Sequence, residues 1–476
     1  MSKPRLTLLS RDEVELVHTS SLHLLEDCGM VVPRKEVLDV LQQHGSVVDF
    51  EKKICKFPRT LVEEFVKKSP SRIVLGARNR KNTLTLEKGA STVFMPNIGA
   101  KYVNDLETRE RREAVLRDVE ESNRVIDALD HIHSGGETVH PSDVPPHLAQ
   151  YHSWIAAFKN TSKNLSFYQP DPNGVKVAME MAAAVSGDQS GPIILNFVAC
   201  IPEVLGFEAT QLDGMVESFR NRIPLWIESG PASGATGPGT LTGTLVLSNA
   251  EILGAITLAQ ILSPGTPVVY MNYARHFDMK AENVALCGPE FILLRICQAQ
   301  MANLYNIPSA TSGLSSDAKI LDIQAGYDKS DALVSVLSGT DCILSDAIDG
   351  GDVEDLAELV VNDELAAAYT WVWKGLEVNE DTLAIKEIEK VGPGLGHNFI
   401  GTKHTMQHFR KETWLDYKIS ERRKWEHWKR DGAKSAERKA VERAKEIVKN
   451  HQPEPIPKDI EKQFESIMIR ASGKTG

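Results

Sequence analysis

The stretch "IPLWIESGPASGATGPGTLTG", Ile223 to Gly243, runs from a short apolar segment into a loop with glycine at 230, 234, 237, 239 and 243. A long helical pattern follows it. Strand, glycine-rich loop and helix are the parts of a nucleotide-binding fold, so this stretch decides between two α/β architectures. A phosphate loop needs GxxxxGK[ST], and the segment from Ser229 to Gly243 contains neither lysine nor arginine. A dinucleotide fingerprint needs GxGxxG directly after the strand with an acid about 20 residues on, and only "GPGTLTG" approaches it. The glycines instead suit a long loop that passes close to a ligand or partner at the rim of a barrel.

Working outward, strand-type runs alternate with helical patterns from about residue 109. The strands are "HIHSGGET", "NLSFYQP", "PIILNFVAC", "IPLWIESG", "PVVYMNY", "PSATSGL" and "CILSDAI". Helical stretches such as "PPHLAQYHSWIAAFKN" and "LSNAEILGAITLAQILSPG" lie between them. Seven strand–helix repeats predict an α/β fold of TIM (β/α)8 barrel type, with a doubly wound sheet as the alternative and the eighth strand unplaced. Before the barrel, helical patterns ("RDEVELVHTSSLHLLEDCG", "RKEVLDVLQQHG", "RTLVEEFVKKSP") precede alternating runs that read as hairpins, including "STVFMPNIGAKYVND". The expected organisation is an N-terminal extension over 1–108, the barrel core over 109–375, and a C-terminal segment with a helical tail over 376–476.

Bulk properties narrow the function. The 476 residues are 42% hydrophobic and 25% charged, ordinary values for a folded chain, and the formal net charge is −11. That balance argues against nucleic acid as a partner, because phosphate binding needs a basic surface. Six cysteines are scattered without a CxxC pair, which fits neither a disulfide scaffold nor a zinc ribbon. The N-terminus lacks the apolar core of a signal peptide and no run of 18 apolar residues occurs, so a cytoplasmic protein with no membrane partner is expected.

Barrel chemistry sits at the C-terminal ends of the strands. In chain order the predicted strands end at Glu137; Phe167, Tyr168 and Gln169; Asn196 and Phe197; Trp226 and Glu228; Tyr270, Asn272 and Tyr273; Thr311 and Ser312; and Ser345 and Asp346. Alternation lets only about half of them face the cavity. Aromatic faces among carboxylates are what a quaternary ammonium requires: cation–π contacts with a counter-charge, and no hydrogen-bond donor that it could not use. A GxSxG nucleophile elbow is missing. "GHNFIGTKHTMQHFR" carries His397, His404 and His408, but no acid completes an HExxH zinc pattern, so no metal site is expected. The substrate-facing candidates are therefore Glu137, Tyr168, Gln169, Asn196, Phe197, Trp226, Glu228, Asn272, Tyr273, Ser312, Asp346 and His397. The charged tail from Ile419 reads as a solvated helix for packing or assembly.

Four long motifs carry a resemblance: "GPASGATGPGTLTGTLVLSNAEILGAITLAQILSPGTPVVY", "DMKAENVALCGPE", "IPSATSGLSSDAKILDIQAGYDK" and "VGPGLGHNFIGTKHTMQHFRKETW". Together with the flanking regions, the chain resembles the trimethylamine–corrinoid methyltransferase family over essentially its whole length. The resemblance implies a TIM barrel that presents an amine to Co(I) of a separate corrinoid protein, with no cofactor held tightly by the barrel itself. It also implies a homo-oligomer. Archaeal trimethylamine enzymes of the family carry pyrrolysine. This chain is written in the standard twenty residues and resembles the branch that demethylates glycine betaine and similar quaternary amines.

A quaternary ammonium already carries the charge that makes a neutral tertiary amine its leaving group, so no general acid is required. The protein's task is then to aim one methyl at the barrel mouth and to exclude water. Where relatives often end the seventh predicted strand in paired histidines, this chain has Ser345 and Asp346. An acid there can face the ammonium, or else cap the following helix at "GGDVEDLAELV". Arg275 and His276 are the nearest candidates for a substrate carboxylate. Gly234 and Gly237 are expected to face the corrinoid protein or shape the entrance. The competing reading is a barrel that binds or senses a quaternary amine without transferring its methyl.

Overall fold

The computed structural model describes residues 3–187 and 191–473. Eight parallel strands form its centre: β1 (Val93–Met95), β2 (Ser134–Gly136), β3 (Asn164–Tyr168), β4 (Leu195–Ile201), β5 (Leu225–Ser229), β6 (Val268–Asn272), β7 (Ser309–Gly313) and β8 (Cys342–Ser345). From β2 to β8 each pairs with the next in sequence, and β8 returns to pair with β1. The last seam is drawn shut between β1 and β2: the His133 amide donates to the Phe94 carbonyl at 2.7 Å, and the Gly99 amide to the Glu137 carbonyl at 2.8 Å. The sheet is a TIM-type barrel, and the doubly wound alternative is excluded.

The strand left unplaced by the sequence is β1, inside the segment read as the N-terminal extension. "STVFMPNIGAKYVND" is accordingly not a hairpin. Its first half enters the barrel, while Tyr102–Asn104 pairs with Arg111–Glu113 and Val353–Glu354. The other N-terminal elements form as expected: helices Arg11–Asp27, Lys35–Gln43 and Arg59–Val66, and a hairpin of Arg72–Leu75 with Leu84–Glu87. Ser10 and Glu13 close a reciprocal capping box on the first helix. The hairpin plugs the base of the barrel, where Ile73, Leu75 and Leu86 join the interior cluster of Met95, Val198 and Trp226. Only the C-terminal end of the barrel remains open.

Helices alternate with the strands around the outside. Asp171 caps Pro172–Ser186, Thr240 caps Leu241–Leu262 and Asp355 caps Leu356–Lys374. Leu241–Leu262 is apolar enough to cross a membrane by composition, yet 89% of its most apolar window is buried inside the protein. Behind β7 and β8, Lys329 pairs with Glu358 and Arg295 with Asp331, all four nearly or fully buried.

Candidate functional site

Side-chain alternation sorts the strand tips. Within β4, Val198 and Cys200 point into the barrel, while Phe197 points outward into the large cluster shared with the helices. In β5, Trp226 and Glu228 point inward, as do Met271 in β6 and Tyr273 just beyond it. The inward groups bound a cavity of about 290 Å³ at the open end, walled also by the loops Pro96–Gly99 and Gly350–Asp352. This is near the lower end of pockets that hold drug-sized ligands, about 300–1,000 Å³, and so suits a small organic molecule.

Four of the predicted residues line that cavity together: Tyr168, Glu228, Tyr273 and Asp346. The Tyr273 hydroxyl donates to Asp346 Oδ2 at 2.6 Å and the Ser315 hydroxyl to the same oxygen at 3.1 Å. No cation pairs with Asp346 among the described residues. Nor does Asp346 cap the next helix, since Asp355 accepts from the Ala357 amide at 2.9 Å in that role. Arg275 also lines the cavity, its guanidinium 4.6 Å from the Tyr273 ring centre and its Nε donating to the Gly230 carbonyl.

Burial sets the charge states. It raises the Glu228 carboxyl, while Arg275 and the Cys200 thiol pull it back. Burial also holds the Tyr273 phenol far above its ordinary range, with Asp346 adding to the rise, so the hydroxyl stays a donor. Cys200 is likewise held as a neutral thiol by burial and by Glu228. It is not a ready nucleophile, because a thiolate is the reactive form. The cavity thus offers two tyrosines, the carboxyls of Glu228 and Asp346 with Asp352 on the rim loop, and one guanidinium.

The remaining predicted residues do other work. Trp226 is fully buried in the barrel interior beneath Glu228. Asn196 is sealed there too, donating to Asn164 at 2.7 Å and accepting from Ser166 at 2.8 Å. Glu137 is buried beside the cavity, 3.3 Å from His140, and burial raises its carboxyl. Gln169 accepts from Ser218 beneath a helix. Asn272 is buried, with its amide group toward Tyr270 and its oxygen on the Ala274 amide. Ser312 accepts from Arg295. His397 is exposed in the C-terminal segment, turned back onto the Val391 carbonyl, and does not line the cavity. Phe197 and Asn272 fail by phase: each is one residue off the inward register.

Sequence reasoning missed Cys200 and Met271, which the inward register of Glu228 and Tyr273 would have found. It also missed the two rim loops, for which no local signal exists. The glycine loop lies beside the mouth, where Ala232–Ser233 joins Arg275–Asp278 and Asn283–Ala285 in a small rim sheet. Gly234 has φ +86°, a conformation that favours glycine, and a side chain at Gly237 would press on Thr244. His404 and His408 stack at 4.3 Å, but no group of three or more metal-ligating residues is found among the described residues.

Comparison with known proteins agrees with this architecture. The chain is 33% identical to trimethylamine methyltransferase MttB of Desulfitobacterium hafniense over 475 residues, covering 98% of this chain and 94% of that one. It is 28% identical to the glycine betaine methyltransferase of another strain of that species, covering 99% and 98%. In fold it is similar to the crystal structure of the hydroxylamine MtmB complex, at 9% identity and a TM-score of 0.50, covering 99% and 94%. The model of the trimethylamine methyltransferase (MTTB) family matches residues 1–476, and the chain belongs to that family.

Proposed function

We propose that this chain moves a methyl group from a quaternary amine, glycine betaine or a related betaine, to Co(I) of a separate corrinoid protein. The observation that carries this reading is Asp346, a carboxylate at the cavity wall whose partners among the described residues are two hydroxyls and no cation. Asp346 is part-buried at the mouth, and a partly desolvated charge without a counter-ion favours a ligand that brings the positive charge with it. Tyr168 and Tyr273 supply aromatic surface for the methylated nitrogen. Arg275, stacked on the Tyr273 ring and bonded through Nε to the Gly230 carbonyl, is the cavity's candidate for a ligand carboxylate. Carboxyls, aromatic rings and a guanidinium gathered in one cavity complement a zwitterion such as a betaine.

In this reading the chain's residues bind and orient. Asp346, held by Tyr273 and Ser315, fixes the ammonium; Arg275 fixes the opposite end; the remaining methyl faces the mouth. The corrinoid accepts that methyl as the second substrate, and the neutral tertiary amine leaves without a proton. The chain is written in the standard residues, and its cavity-lining set supplies a binding surface in place of a covalent amine adduct. A cavity of about 290 Å³ suits the amine alone, in keeping with a corrin ring that stays on its own protein and meets the rim. Gly234 and Gly237 would then leave room for that approach, and substituting either by leucine should impair transfer more than amine binding.

The test mixes the protein with a Co(I) corrinoid protein and glycine betaine, carnitine, choline or proline betaine in turn, and follows loss of the Co(I) absorption. Turnover with one betaine supports the proposal. Amine binding without transfer to any corrinoid acceptor overturns it in favour of a sensor.

A further inference from the structure

Glu228, Asp346 and Asp352 share the cavity with a single guanidinium, that of Arg275. Glu228 and Arg275 belong to one wall, since Arg275 Nε donates to the carbonyl of Gly230, just beyond Glu228 on the same strand. Asp346 stands apart from them at the end of β8, with two strands between β8 and β5. The three acids differ in what steadies their charge. Asp346 receives two hydroxyl donors. Asp352 lies on the rim loop, 3.9 Å from the Lys101 ammonium. Glu228 forms no ion pair among the described residues and has the Cys200 thiol, a weak donor, beside it. A carboxylate steadied by donors keeps its charge, and one that lacks them in a cavity with other acids holds the proton. Burial raises the Glu228 carboxyl above the usual carboxylate range, with Arg275 and the thiol opposing and Asp346 adding to the rise.

We infer that Glu228 is a specificity residue: as a neutral acid beside Arg275, it donates a hydrogen bond to the carboxylate of the ligand. The inference rests on the betaine reading above and adds to it how the carboxylate is selected. With Glu228 neutral the charges of the bound state match, the ammonium against Asp346 and the carboxylate against Arg275. An ionised Glu228 would set a like charge against that carboxylate and withdraw the donor. A quaternary amine without a carboxylate, such as choline, has no use for the proton, and leaves Arg275 to Glu228. Affinity for a betaine is therefore whole while Glu228 is protonated and falls as pH rises through its titration. The other groups that titrate around Glu228 are Cys200, Tyr168 and Tyr273, all held neutral by burial. Glu137, paired with His140, stands outside the residues that line the cavity.

Calorimetric titration of the full-length chain with glycine betaine and with choline, across a series of pH values, tests this. Above the titration of Glu228, affinity for glycine betaine should fall about tenfold per pH unit, one proton being linked to binding. Choline affinity should not fall with it. Glu228→Gln cannot ionise and still offers an N–H donor, so its affinity for glycine betaine should be flat in pH. Glu228→Ala offers no donor and should lose more affinity for glycine betaine than for choline at every pH. Repeating the wild-type titration in two buffers of different ionisation heat needs no variant: on the alkaline side glycine betaine should bring about one proton with it, and choline none. A glycine betaine affinity flat in pH for the wild type, or a slope that persists in Glu228→Gln, would overturn this inference and leave the betaine reading standing. Failure of every betaine to bind at any pH would overturn both.

Discussion

Glu358 and Asp346 lie on either side of the loop that follows β8, and the fold treats them in opposite ways. Glu358 is buried behind the barrel with Lys329 against it, and Asp331 nearby is matched by Arg295 in the same manner. Asp346 opens on the cavity and receives only hydroxyls. Desolvation raises the Glu358 carboxyl to about 7, and Lys329 opposes the rise. The contrast is between two acids behind the barrel that the chain itself has matched with cations and one at the cavity that it has not. On the function proposed above, the acid at the strand tip awaits a cation from outside.

The strongest way to break this contrast is to remove the internal cation. Lys329→Met should cost about 3–5 kcal/mol of stability, the range for an uncompensated buried charge, in urea denaturation at neutral pH. A near-neutral change would mean that Glu358 needs no partner and that the comparison has no force.

Glu251 sharpens it as an intermediate case: buried, bonded to Ser229 and the Leu205 amide, and given neither a cation nor a cavity. Burial raises its carboxyl to about 7 from an ordinary 4.5. The unfolded chain therefore releases this proton first. The contribution to stability is whole below about pH 4.5 and is lost as pH rises through about 7. At about 1.4 kcal/mol per unit this amounts to about 3 kcal/mol. Parallel melts of wild type and Glu251→Gln across that range should diverge accordingly, and parallel curves would refute the assignment.

Asp346→Asn should weaken glycine betaine binding by about 1–3 kcal/mol in calorimetry and leave the thermal midpoint in place. Unchanged affinity with a lowered midpoint would make Asp346 a structural acid like Glu358. The smallest effect belongs to Arg275→Gln, with about 1 kcal/mol lost for glycine betaine and nothing for choline, which lacks the carboxylate. Equal loss for both ligands would remove Arg275 from carboxylate recognition.

Much of this was legible in the chain. Seven of eight strands announced themselves as apolar runs between helical patterns, and the ends of β3, β5 and β8, with Tyr273 just beyond β6, named four residues of the cavity. The phase of each strand was not legible. Strands buried on both faces are apolar on both, so "LNFVACI" does not say whether Phe197 or its neighbours Val198 and Cys200 face inward. β1 escaped because three residues carry too little periodicity, and its place comes from bonding to β8 on one side and to the segment before β2 on the other. His397 escaped in the other sense: a polar motif drew attention to a residue that the chain carries out on an exposed arm.

By itself the sequence carried the barrel, because helix and strand periods are local, and the family, because its long motifs are read directly from the order of residues. The tertiary structure alone decided which of the strand-end side chains meet. The closing of β1 against β2 fixes the inward register around the ring. That register brings Tyr273 and Asp346 within 2.6 Å across the mouth while turning Phe197 and Asn272 away. Such contacts join residues far apart in the chain, and only the closed barrel sets the distance between them.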